Sequence, residues 1–91
     1  MIFALICTDN PGALELHKST REAHLAYVAE TGAVRRAGPF LDSRGEMNGS
    51  LLFIDVADLA DAEDWAANDP YARAGLFSSV DIRAWKQTVG D

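Results

Sequence analysis

An α+β fold, with four strands and two helices in the order βαββαβ, is what these 91 residues predict. Three observations carry that expectation. Short apolar runs rich in β-branched and aromatic residues recur four times, each bounded by Gly, Pro, Asn or Asp. Between the first and second runs, and again between the third and fourth, the apolar spacing lengthens to a helical period. The stretch joining the second and third runs is short and polar, as a hairpin connection requires.

The elements follow in order. Ile2 to Thr8 reads as the first strand, closed by the turn-forming Asp9-Asn10-Pro11-Gly12. From about Ala13 to Thr31 the pattern is helical, and Gly32 supplies the stop. Ala33 to Leu41 is a second strand, with Gly38-Pro39 marking a kink or a sheet edge. Asp42 to Asn48, with Gly45, suits the hairpin, and Gly49 to Val56 is the third strand. Asp58 or Asp61 can cap a second helix running to about Asn68, with Asp61, Glu63 and Asp64 near its positive end. Asp69-Pro70 breaks that helix, because a residue before proline is pushed out of the α region. Pro70 then suits the first position of a short helix through Tyr71 and Ala74, with Asp69 as its N-cap. Leu76 to Lys86 is the last strand. Strands and helices in this order make a ferredoxin-like split βαβ with a four-stranded antiparallel sheet. No repeat or linker divides the chain, so residues 1–91 are expected to be a single domain.

Composition narrows the partners. With 14 Asp+Glu against 8 Lys+Arg the net charge is −6, and Arg35-Arg36 is the only adjacent cationic pair. Nucleic acid is therefore not an expected partner, since phosphate binding needs clustered cations. No run approaches the roughly 20 apolar residues that span a bilayer. Met1 to Cys7 lacks the cationic start of a secretion signal and ends at once in Asp9-Asn10-Pro11. A lone cysteine, Cys7, permits no internal disulfide and suits a reducing compartment. A cytoplasmic protein is expected.

Two strands say more. Ile2, Ala4 and Ile6 point to one side of the first strand and Phe3, Leu5 and Cys7 to the other; Leu51 and Phe53 likewise oppose Leu52 and Ile54. Both sheet faces are thus apolar, while two helices cover only one. A second copy of the same sheet is the simplest cover, which predicts a homodimer through the open face. The alternative is a terminal or loop segment folded across it, for which the chain has little length to spare.

Projected at about 100° per residue, the first helix gathers Glu15, Lys18, Ser19, Glu22, Ala26 and Glu30 on a solvated arc. The inward arc is centred on His24, flanked by Leu14, Leu16, Leu25, Tyr27 and Val28, and it also carries His17 and Arg21. Large polar groups on an inward stripe point to a cleft rather than a sealed core, since an unpartnered buried polar group costs about 1–3 kcal/mol. His24 has a plain alternative as a core imidazole bonded to a backbone carbonyl. Asp69 has one as a helix cap, although a capping carboxylate has a second oxygen free to orient an imidazole. Arg21, one turn before His24, suits an anionic substrate group or a salt bridge to a nearby carboxylate. His17 lies two turns from His24, roughly 10 Å along the helix, too far to share a metal ion; neither a metal nor a cofactor is expected.

Taken together these features resemble the YCII-related family. The residues that carry the resemblance are Arg21-x-x-His24-Leu25 on the first helix, Ala37-Gly38-Pro39, Gly49-Ser50, Asp69-Pro70-Tyr71 with Gly75, and Trp85-Lys86. Their order and spacing, rather than any single motif, make the match specific. The resemblance implies a dimeric α+β barrel, similar to proteins that include muconolactone isomerase, and an active site built from a His and an Asp, which map to His24 and Asp69. His24 would then be the general acid or base and Asp69 the group that fixes its tautomer. Arg21, Ser50 and Tyr71 are candidate substrate contacts, with Ser50 open to a plainer reading as a strand-edge hydroxyl and Tyr71 as a packing residue. The chemistry this set suits is proton abstraction beside a carbonyl of a small carbonyl or ring compound, followed by isomerisation or loss of a leaving group. Elimination on chlorinated rings is associated with the family, though nothing in this sequence marks that substrate. A different class of function, a small-metabolite-binding or interaction module of the same fold, uses the same cleft without turnover.

Overall fold

A computed structural model describes residues 1–91. Strand β1 (Ile2–Asp9) leads into helix α1 (Leu14–Thr31), the hairpin β2 (Val34–Leu41) and β3 (Met47–Asp55) follows, and helix α2 (Leu59–Asn68) with the single turn α3 (Pro70–Arg73) returns the chain to β4 (Phe77–Trp85). The four strands form one antiparallel sheet in the order β2-β3-β1-β4. This is the ferredoxin-like α+β arrangement that the periodicities predict, and β2, which carries Pro39, is indeed an edge.

Local chemistry sets the boundaries. Gly32 ends α1 in the left-handed conformation, φ +64°, with its N–H bonded to the Val28 carbonyl; a side chain there would be strained. Of the two proposed caps for α2 it is Asp58 that acts, its carboxylate accepting from the Asp61 N–H at 2.9 Å. Asp69 leaves the helix in extended geometry and caps α3, accepting from the Tyr71 N–H at 3.1 Å. The first strand runs one residue beyond its expected end, to Asp9, which has consequences at the site.

The core lies between the sheet and the two helices. Phe3, Leu5 and Cys7 of β1 stand beside Leu52 and Ile54 of β3 and pack against Ala62, Trp65 and Ala66 of α2. Tyr27 of α1 donates to the Trp65 carbonyl at 2.8 Å, and the Trp65 indole donates to Thr31 Oγ1 at 3.0 Å, tying the helices together. α1 departs from its helical projection at two places, since Leu25 is 44% exposed and Arg21 is exposed too, and His17 and His24 are its only fully buried residues. Leu14, Leu16, Tyr27 and Val28 are partly covered beside them, with Tyr27 and Val28 packed on the core.

The opposite face of the sheet is open. Ile2, Leu51 and Phe53 are only half-buried there, and Phe40 and Trp85 are exposed. Residues after β4 curl over one end of it, with the Arg36 guanidinium donating to the Asp91 carbonyl. Between that tail and the sheet lies a trough of about 670 Å³ bordered by Ile2, Phe53 and Trp85. The tail covers an end of the face and leaves the rest bare. No helix is long and apolar enough to cross a membrane.

Candidate active site

The histidine on the inward stripe of α1 and the aspartate that caps α3 meet. His24 Nδ1 lies 2.8 Å from Asp69 Oδ1, with both side chains buried. The geometry follows from two local rules. The helical period aims His24 at the sheet, and Pro70 forces the chain out of α2 so that Asp69 points back at α1. One oxygen, Oδ1, serves both the cap and the imidazole, whereas the sequence suggests a division of labour between the two. A carboxylate held by a helix N-terminal amide and bonded to Nδ1 fixes the ring with its proton on that nitrogen, leaving Nε2 free.

His24 borders a cavity of about 160 Å³, which it shares with His17, Arg21, Ser50, Tyr71 and the Ala37–Pro39 segment of β2. The Tyr71 ring stacks on His24, centroids 4.1 Å apart and 18° from parallel. Burial and the nearby Asp69 carboxylate raise the Tyr71 phenol above its ordinary pKa, with Arg21 pulling the other way. The hydroxyl therefore keeps its proton at neutral pH and can donate. Arg21 enters no ion pair with any carboxylate, so its charge is available at the cavity wall. Ser50 is buried on the same strand face as Cys7, its register partner. Of the five residues singled out from the sequence, four line this cavity and Asp69 stands behind His24. Cys7 takes no part: burial, with the Asp69 and Asp9 carboxylates adding to it, pushes its thiol up to about 12.

A second pair was not anticipated. His17 Nδ1 lies 2.7 Å from Asp9 Oδ2, both side chains as deeply buried as the first pair. His17 also touches the Tyr71 ring, centroids 4.8 Å apart. The signal was present in the alternation of β1, where Phe3, Leu5 and Cys7 continue to Asp9 on the helix-facing side. The Asn10-Pro11-Gly12 turn signal that overlaps Asp9 masks that alternation. Asp9 Oδ1 is buried with no hydrogen-bond partner, an arrangement that costs about 1–3 kcal/mol. The two histidines answer to different carboxylates, and no group of three His, Cys, Asp or Glu side chains comes together to hold a metal ion.

A YCII-related domain model matches residues 1–86. This chain belongs to the YCII-related family. An uncharacterized protein of Haemophilus influenzae is 33% identical, and the protein YciI of Escherichia coli O6:H1 is 30% identical, each alignment covering 96% of this chain and 98% of the relative. Among solved structures, the 5-chloro-2-hydroxyhydroquinone dehydrochlorinase of Burkholderia phenoliruptrix, in complex with 2,5-dihydroxybenzoquinone, superposes with a TM-score of 0.89 at 29% identity, over 97% of this chain and 96% of that one. A NIPSNAP family protein of Agrobacterium tumefaciens shares the fold alone, with a TM-score of 0.58 and 21% identity over 96% of this chain and 91% of that one. The YCII-family assignment and the ferredoxin-like fold agree with the sequence resemblance.

Proposed function

We propose that this YCII-family protein is a general acid–base enzyme acting on a small hydroxylated or carbonyl-bearing ring, with His24 as the group that moves the proton. The observation that carries the reading is the 2.8 Å contact between His24 Nδ1 and Asp69 Oδ1 at the wall of a 160 Å³ cavity. A cavity near 150 Å³ is about the size that accepts a benzene ring, so the space suits one ring and little more. Asp69 fixes the tautomer and stabilises the cation that forms when Nε2 accepts a proton. Arg21 holds the developing enolate or phenolate oxygen, Ser50 and the Tyr71 hydroxyl donate hydrogen bonds, and the Tyr71 face keeps the His24 ring in place. From the ionised ring, either a proton returns at another position, giving an isomer, or a leaving group departs. The dehydrochlorinase likeness favours the second outcome.

The working unit in this reading is a homodimer in the cytoplasm, formed through the open sheet face, where Phe40, Leu51, Phe53 and Trp85 lack a cover. The direct experiment offers 5-chloro-2-hydroxyhydroquinone to the purified protein and follows chloride release. Release that falls by about 10²–10⁴ in His24→Asn, with fold and 2,5-dihydroxybenzoquinone binding intact, supports the enzyme. Ring binding with no turnover in the wild type would instead favour a metabolite-binding module.

A further inference from the structure

Asp9 is not held as a turn residue. β1 and β4 shift register between Thr8 and Asp9, an irregularity of the kind that re-aims a side chain, and the carboxylate reaches His17. No amide of the Asn10–Gly12 turn bonds to it, and Oδ1 has no partner at all. A carboxylate kept for the local fold would satisfy backbone N–H groups, as Asp69 and Asp58 do. Asp9 gives its whole charge to one imidazole.

That imidazole repeats the situation of His24. Both rings stand on one stripe of α1, both bond an aspartate through Nδ1, both touch Tyr71, and both border the same cavity. Neither Nε2 is bonded within the protein. Neither is sealed off either, because Asp9 Oδ1 is the one fully buried side-chain nitrogen or oxygen without a partner. His17, 2% exposed, therefore presents its free nitrogen through the cavity.

We infer that His17 and Asp9 form a second acid–base pair of this cavity. In each turnover the site then takes two protons from oxygen and places one on carbon, and its substrates are small polyhydroxylated rings. This rests on the reading of His24 proposed above. His24 is the proton acceptor in that reading, which leaves His17, bonded through Nδ1 to Asp9, as the donor. For a dihydroxylated ring bearing a leaving group X, His24 Nε2 accepts the proton of one hydroxyl and that oxygen becomes a carbonyl. The displaced ring electron pair takes the His17 Nε2 proton at the carbon bearing X, forming a C–H bond. The second hydroxyl then returns a proton to His17, its oxygen becomes the second carbonyl, and the C–X bond breaks with its pair leaving as X⁻. Two O–H bonds and one C–X bond are lost, and one C–H bond and two C=O bonds are gained. The two-electron oxidation of the ring to a quinone matches the reduction of the C–X carbon to C–H, and the proton on His24 leaves to solvent with X⁻.

His17→Asn tests this in the full chain. The Asn amide nitrogen stands where Nδ1 stood, so the bond to Asp9 is kept and only the Nε2 is lost. Chloride release from 5-chloro-2-hydroxyhydroquinone, binding of 2,5-dihydroxybenzoquinone by absorbance titration, and deuterium at the product carbon in D2O are measured for wild type, His17→Asn, Asp9→Asn and His24→Asn. The expected result is a kcat for His17→Asn lower by about 10²–10⁴, with dihydroxybenzoquinone affinity unchanged and slower deuterium delivery to carbon. Wild-type kcat in His17→Asn overturns the inference while a loss in His24→Asn preserves the reading of His24. Chloride release absent from the wild type overturns both. Should His17→Asn not fold, Asp9→Asn, which leaves the imidazole in place and removes its charge partner, decides in the same way: an unchanged kcat refutes the second pair.

Discussion

Replacing Asp69 tests its two duties together, because Oδ1 both caps α3 and holds His24. In Asp69→Ala both contacts go. Loss of an N-cap costs about 0.5–2 kcal/mol, and leaving the buried His24 Nδ1 without a partner costs about 1–3 kcal/mol. The two share one oxygen and are not fully additive, so a combined loss of about 2–4 kcal/mol is expected. For a domain of this size each kcal/mol moves Tm by roughly 4–8 °C, which puts the fall at roughly 8–30 °C. Asp69→Asn keeps a capping oxygen that ranks with Asp and can still accept from Nδ1. It loses only the charged share of that bond, about 1 kcal/mol. Thermal unfolding by circular dichroism, at one protein concentration, reads both values. Ala and Asn variants that melt together, each within about 0.5 kcal/mol of the wild type (the range of ordinary surface substitutions), would refute a buried pair sharing one oxygen.

Other outcomes follow from single contacts. Gly49→Ala places a Cβ 2.5 Å from the Cys7 backbone oxygen and 3.2 Å from the Phe40 ring, so a loss of about 1–3 kcal/mol by overpacking is expected in denaturant unfolding; a neutral result would contradict the β1–β3 register. Cys7, with its thiol at about 12 against an ordinary 9.0, should resist iodoacetamide at pH 8 until the protein unfolds. By the same shift, stability should hold below pH 9 and decline as pH rises from 9 towards 12, because the unfolded thiol ionises first; rapid native labelling would contradict its burial. Light scattering at micromolar concentration should report twice the 9.9 kDa chain mass, and Phe53→Lys on the open face should return it to one. A wild type already at the single mass would rule out the dimer.

Much of this was legible because each rule involved is local. The helical period singles out His24 without any knowledge of its partner, and the proline rule ejects Asp69 from α2 without reference to α1. That the two would meet followed from the family resemblance, since no local rule sets the distance between residues separated by half the chain. The second pair escaped for a related reason. Asp9 sits where a strand signal and a turn signal overlap, and composition favours the turn, while the alternation of Phe3, Leu5 and Cys7 favours one more inward residue. The helical period places His17 on the inward stripe, but its partner, Asp9, lies outside the helix and beyond the reach of that rule. Angle alone puts Leu25 and Arg21 inward, yet both lie at the margin of the stripe and are exposed.

The most direct test of the central claim is the protonation site of one ring. Long-range ¹H–¹⁵N correlation spectra of the ¹⁵N-histidine-labelled protein report which nitrogen of His24 carries the proton. The prediction is a proton on Nδ1, shifted downfield by the Asp69 carboxylate and displaced in Asp69→Ala, with the Nε2 resonance moving when 2,5-dihydroxybenzoquinone is added. A proton found on Nε2, or a His24 signal indifferent to both Asp69 and the added quinone, would contradict the account.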